Sequence, residues 1–171
     1  SFKSVNVLDT EIFLDNYGIR FEALNTITHM SLNGFDDNAL LQLCEKIETV
    51  HLTHLIIDNP TLSEVSLLTF IKQSPNVRNI IFGKCALSNE FIDALSVLNI
   101  DTFIFKGTTV THKQLKALLA NKVDLKKVDL SELTCHLPEG LELPALENLI
   151  LRPSRTQIEH LGGLLQHAVK L

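Results

Sequence analysis

Paired cysteines and basic stretches are both missing from this sequence of 171 residues. The three cysteines, Cys44, Cys85 and Cys135, contain no CxxC pair, and their odd number argues against a disulfide framework or a structural zinc site. The 15 Lys and Arg residues form no stripe, so we expect no binding to nucleic acid. No apolar run reaches the roughly 18 residues of a membrane span. We therefore expect no membrane association.

Motifs for catalysis and for cofactor binding are equally scarce. The glycines from Gly162 lack the Lys-Ser/Thr of a P-loop. Asp36 and Asp37 lack the spacing of a calcium loop, and one of them is expected to begin a helix. No cysteine can be paired with a histidine as a nucleophile. We predict that these residues form no enzyme and bind no cofactor, metal or small-molecule substrate.

Further absences bear on the cellular compartment that we expect for the protein and on whether the chain is a fragment. The opening residues SFKSVNV show no signal peptide. The Asn-x-Ser/Thr triplet at Asn59 contains Pro60, which blocks glycosylation. With the unpaired cysteines, these features favour the reducing cytosol. Neither end of the sequence has an evident polar cap, so we expect that the chain is a fragment of a longer protein or that its end helices cap the array weakly.

One apolar pattern repeats along the whole sequence. In the stretch VRNIIFGKCAL, apolar residues occupy positions 1, 4, 6, 9 and 11, which are Val77, Ile80, Phe82, Cys85 and Leu87. Related frames begin near residues 2, 27, 52, 77, 100, 125 and 146, at intervals of 21 to 25 residues. A regular period in this range indicates stacked units that bury a continuous core together.

The frame resembles the leucine-rich repeat, L-x-x-L-x-L-x-x-N/C-x-L, over essentially the whole chain. The resemblance implies one α/β domain over residues 1–171, with about seven repeats. The implied fold is a curved, right-handed solenoid with parallel strands on its concave face and mostly helices on its convex face. Position 9 never holds asparagine, which excludes a continuous asparagine ladder. The sixth unit carries Pro138 and Pro144, which predict an extended segment in place of a helix.

Helix signals follow most of the predicted strands. Apolar residues recur at helical spacing in three units, at Leu40, Leu43, Cys44 and Ile47, at Phe91, Leu95 and Leu98, and at Leu115, Leu118 and Leu119. Capping boxes are predicted at Thr61/Glu64, Thr111/Gln114 and Ser154/Gln157. The cysteines fall at inward positions, where a free thiol acts as a small apolar group.

The side chains at positions 3, 5 and 7 are predicted to face the concave surface. Position 5 holds isoleucine in three successive units, and an exposed apolar stripe is a candidate binding surface. The alternative is that β-branched residues favour strands and that a few exposed ones are normal. The predicted partner-binding residues are Ile56, Ile81, Ile104, Ile150, His29, His54, Asn79, Lys106 and Asp129.

His29 and His54 share position 3 in neighbouring units and are expected to stack. His51 precedes its strand and need not share their face, so three zinc ligands are not brought together. Protonation of two adjacent imidazoles near pH 6 would cost repulsion. The pair is therefore interpreted either as a pH-sensitive contact or as ordinary surface histidines.

Three hypotheses for function remain. In the first, the chain is a recognition module for a protein or peptide. Its irregular units resemble those of F-box ubiquitin ligases and of bacterial effectors, and the block HLPEGLELPALENLIL favours an effector acting in the host-cell cytosol after secretion. In the second, it is a substrate-recognition or autoinhibitory part of a ubiquitin ligase, or of another enzyme whose catalytic domain lies outside this chain. In the third, it is a structural spacer.

Overall fold

The computed structural model describes residues 27–46, 49–85, 87–120, 122–133, 138 and 140–151, together with the backbone of residues 4–6. These residues form an α/β structure in which parallel strands alternate with helices. The strands are β1 Ser4–Asn6, β2 His29–Ser31, β3 His54–Ile57, β4 Asn79–Phe82, β5 Thr102–Phe105, β6 Lys127–Leu130 and β7 Asn148–Leu151. The helices are α1 Asp37–Lys46, α2 Glu64–Lys72, α3 Asn89–Ser96 and α4 His112–Leu119.

The seven strands lie in one sheet in their order along the chain, and every neighbouring pair is parallel. Position 3 of each frame pairs with position 3 of the next, as His29 does with His54 and His54 does with Asn79. The register of the sheet therefore follows the frames in the sequence. The expected absence of a helix from the sixth unit is confirmed for its described residues, between β6 and β7.

The apolar core lies between one face of the sheet and the helices. From β3 to β6, the residues at positions 4 and 6 are buried, while those at positions 3 and 5 are half-buried. Phe82 stacks on Phe103 and Phe105, with ring centroids 5.9 and 5.1 Å away. Burial raises the pKa of the Cys44 and Cys85 thiols to about 11, which keeps both neutral in this core.

Three further sequence predictions within this core have different outcomes. The predicted inward residues of α1 and α4 are buried as expected. They are Leu40, Leu43 and Cys44 in α1, and Leu115, Leu118 and Leu119 in α4. Leu98 is half-buried but lies beyond the end of α3, because that helix stops at Ser96. Ile47 and Cys135 lie outside the described residues.

Each described helix is preceded by a residue whose side chain accepts a hydrogen bond from a backbone N–H of the first turn. The capping box at Thr111 is confirmed, because Gln114 N donates to Thr111 Oγ1 over 3.2 Å and Thr111 N donates to Gln114 Oε1 over 3.0 Å. Asp36 Oδ1 accepts from Ala39 N over 2.7 Å at the start of α1.

The predicted capping box at Thr61 and Glu64 is wrong. Helix α2 is capped by Ser63, whose hydroxyl accepts from Ser66 N over 3.4 Å. Thr61 is instead bound to Asn59, because its N–H donates to Asn59 Oδ1 over 3.0 Å. The box predicted at Ser154 lies outside the described residues.

Asn59 joins the turn after β3 to the turn after β2. It lies at position 8, is buried, and donates from Nδ2 to Leu32 O over 3.1 Å and to Phe35 O over 2.6 Å. Farther along the chain, Thr108 Oγ1 donates to Cys85 O over 2.7 Å. The turns are therefore joined by different side chains in different units.

None of the helices within the described ranges is both long enough and apolar enough to cross a membrane. Their longest is α1, with 10 residues, whereas a membrane span needs about 20.

Candidate functional site

The sheet has a second face, opposite the apolar core, which we call the open face. Alternation along each strand brings the side chains at positions 3 and 5 to this face. Most of them are half-buried or exposed, as the sequence pattern predicts. The open face consists of His29, Ser31, His54, Ile56, Asn79, Ile81, Thr102, Ile104, Lys127, Asp129, Asn148 and Ile150.

Three isoleucines form a continuous apolar strip across the middle of the open face. Ile56 pairs in register with Ile81, and Ile81 pairs with Ile104. All three are half-buried. Adjacent strands lie about 4.8 Å apart, so the strip is about 10 Å long. Ser31 and Asp129 occupy the next positions in the row and end the strip on either side.

Ile150 does not join this strip. It lies on β7 and is 36% exposed, but Asp129 of β6 stands between it and Ile104. The carboxylate of Asp129 accepts hydrogen bonds from Ser131 N over 3.0 Å and from Ser131 Oγ over 2.6 Å. Asp129 is therefore held by its own turn and separates Ile150 from the isoleucine strip.

Polar residues border the strip along the strand direction. Asn79 lies beside His54 in the row of position 3 and is half-buried. Lys106 follows β5 and is exposed, so its ammonium is accessible at the other border. The open face thus has an apolar middle and a polar border, which is the composition of many protein interfaces.

After β3 and β4, position 7 is less exposed than the sequence predicts. Asp58 reaches across to the next strand, where its Oδ1 accepts from Lys84 N over 2.7 Å. A Cβ atom at Gly83 would overlap the side chain of Asp58, so only glycine fits under this contact. Gly83 is itself buried, so this position offers little accessible surface.

The predicted stacking of His29 and His54 is confirmed. Their ring centroids lie 3.9 Å apart, and the ring planes differ by 10°. Nδ1 of His29 lies 2.9 Å from Thr28 Oγ1, and Nδ1 of His54 lies 2.9 Å from Thr53 Oγ1. Burial, and secondly the neighbouring His29, lower the pKa of His54 from its ordinary value of 6.5.

The threonines that orient these rings were missed by the sequence reasoning. The available signal is the dipeptide Thr-His, which occurs at Thr28 and again one period later at Thr53. A hydroxyl beside an imidazole can select one of its two tautomers. The threonines at position 2 therefore affect the open face indirectly, through the histidine rings that they orient.

The described part of the chain contains no group of three or more His, Cys, Asp or Glu residues that could hold a metal ion. His51 is exposed in the turn before β3, outside the row of His29 and His54. The stacked pair is also poorly arranged for chelation. The lone pairs of near-parallel rings do not converge on one point.

No protein-family model, curated protein or solved structure matches the chain. The open face is the feature of the described residues that bears on function. That face offers an isoleucine strip, a polar border and a stacked histidine pair.

Proposed function

We propose that this chain is a protein-recognition module of the leucine-rich-repeat type, a curved solenoid that binds a protein or peptide on its open face. The observation that carries the proposal is the register of Ile56, Ile81 and Ile104 on the face that the apolar core leaves uncovered. Parallel strands in sequential order, each followed in most units by a helix, support the solenoid.

The energetics of such a site follow from its composition. Covering the remaining exposed surface of a half-buried isoleucine contributes about 1 kcal/mol. Three adjacent isoleucines would form the centre of the interface, where most binding energy is concentrated. Polar neighbours such as Asn79 and Lys106 would set the register of the partner.

The bacterial-effector and ubiquitin-ligase interpretations differ in what would flank this module. In both, the module selects a partner, while any catalysis is performed by residues outside this chain. The same open face serves either role, so one experiment tests the recognition step that they share.

The proposal is tested by capture of partners from cell lysate on the immobilised chain, with identification by mass spectrometry. Ile81→Asp/Ile104→Asp places two charges on the strip. Val65→Asp/Val123→Asp is the matched control, because these valines are 67% and 59% exposed and lie off the open face. We expect a partner that the wild type and the control retain and the Ile81→Asp/Ile104→Asp variant loses.

Circular dichroism and thermal melting must agree among the three proteins, so that lost binding is not lost folding. Equal retention by all three would place the binding site away from the open face. Retention of nothing specific by any of them would favour the spacer hypothesis, in which substitutions on this face change only stability.

A further inference from the structure

The histidine pair has a geometry that couples its two rings. His29 and His54 lie in register on β2 and β3, with centroids 3.9 Å apart and planes 10° from parallel. Each Nδ1 is bonded to the threonine that precedes its histidine. Equivalent Nδ1 contacts on near-parallel rings put both Nε2 atoms on the same side of the stack.

The hydroxyl of Thr53 defines the tautomer of His54. This hydroxyl has one proton, and Thr53 Oγ1 donates it to Thr28 O over 3.1 Å. With this proton directed to Thr28 O, the hydroxyl accepts from His54, and we assign the proton of the neutral ring to Nδ1 on that basis. Nε2 is then an unprotonated acceptor, and it is the atom that takes up a proton in acid.

We propose that His29 and His54 titrate as one coupled unit, which changes the open face beside Ile56 from neutral to positively charged through uptake of a single proton. A second proton would place two charges on rings stacked at 3.9 Å, so it binds only at lower pH. Protonation also converts an Nε2 atom from a hydrogen-bond acceptor to a donor.

The surroundings of the pair do not neutralise this charge within the described residues. On β4 the same row holds the uncharged Asn79, and on β1 Ser4 is in register with His29. The charged or titratable residues on the flanking turns include Asp36, which binds Ala39 N, and the exposed His51. They also include Asp58, which binds Lys84 N, and Arg78, which lies 4.0 Å from Asp101. No carboxylate occupies the row of position 3 on the described strands.

The sign of the pH effect follows from the lowered pKa of His54. A group whose pKa is lower in the folded state binds fewer protons there than in the unfolded chain. The folded state therefore loses stability as the pH falls below about 6.5. One consequence rests on the proposed function. A partner that contacts Ile56 binds with one affinity above about pH 6.5 and with a different affinity below it.

The titration is measured on the free chain by long-range ¹H–¹⁵N NMR of the histidine rings, between about pH 8 and pH 4. We expect neutral His54 as the Nδ1–H tautomer, with a pKa below 6.5 that rises towards 6.5 in the His29→Asn variant. Thr53→Val should remove the tautomer preference. His112→Asn, an exposed site on α4, is the control and should change neither property.

The proposal is overturned if His54 titrates near its ordinary pKa in the wild type, or if His29→Asn leaves its pKa unchanged. Should His29→Asn fail to fold, His29→Gln applies the same criterion to His54, because it also removes the ring stacked on His54. A coupled titration without any captured partner would count against the proposed function alone. A captured partner with independent histidines would count against this inference alone.

Discussion

At the scale of single residues, Lys122 shows how one long side chain satisfies the end of a neighbouring helix. Its Nζ donates to Leu95 O over 2.9 Å, to Ser96 O over 2.8 Å and to Leu98 O over 2.6 Å. The adjacent Val97 is 80% exposed and has no side-chain donor to offer. Burial lowers the pKa of Lys122 to about 8, a cost that the three acceptors offset.

Lys122→Met keeps the apolar stem and removes the three donated hydrogen bonds. A buried carbonyl without a partner costs about 1–3 kcal/mol, so we expect the free energy of unfolding to fall by about 2 kcal/mol. Urea denaturation at neutral pH measures the change. Lys126→Met, at an exposed position, is the control and should change stability by less than about 0.5 kcal/mol. An equal loss of unfolding free energy in the two variants would show that the hydrogen bonds of Lys122 contribute no net stability.

At the scale of secondary-structure elements, the helix starts are tied to one another as well as capped. Ser63 N donates to Asp37 Oδ1 over 2.8 Å, which lowers the pKa of that carboxyl. Ser88 Oγ donates to Glu64 Oε1 in the next pair of units. In these two pairs the first residue of a helix bonds to the cap of the following one, and in the third pair Gln114 Nε2 of α4 donates to Asn89 Oδ1 at the start of α3 over 3.4 Å.

Thr111→Ala tests the capping box of α4. The substitution removes the acceptor of Gln114 N, and loss of such a cap typically costs about 1 kcal/mol. We expect lower stability in denaturant and faster hydrogen exchange at the amide of Gln114. Thr109→Ala, exposed and two residues before the cap, is the matched control. An unchanged exchange rate at Gln114 would mean that packing of α4 alone holds its first turn.

At the scale of the whole molecule, burial is uneven along the sheet. The inward residues of β4, Ile80 and Phe82, are fully buried. Those of β7, Leu149 and Leu151, are only half-buried. Adjacent units share one apolar core, so local stability should follow the apolar area that each strand removes from water.

Hydrogen exchange of the backbone amides tests this gradient. We expect the slowest exchange in β4 and β5, close to the global unfolding rate, and faster exchange in β7. Phe82→Ala, in the middle of the phenylalanine cluster, should lower the protection of both β4 and β5 and cost about 3–5 kcal/mol. Uniform protection from β2 to β7 would instead indicate that the sheet unfolds as a single cooperative unit.

Much of this arrangement was predictable from the sequence, because burial has the same period as the frame. Inward residues such as Ile80 and Phe82, and the strip of Ile56, Ile81 and Ile104, follow from counting along one unit. The capping box at Thr111 was predictable because its partners are three residues apart. The box at Thr61 was wrong, because Asn59 binds Thr61 and leaves Ser63 to cap the helix.

The sequence by itself determined which residues face the core, which ones share a row, and where isoleucines and histidines become neighbours, since strand alternation and a regular period require nothing more. Only the tertiary structure decided how unlike positions meet. Asn59 reaches back to Leu32, and Lys122 reaches back to Leu95. Such contacts depend on the reach of a side chain and on donors left unsatisfied next to it, and no spacing rule contains either.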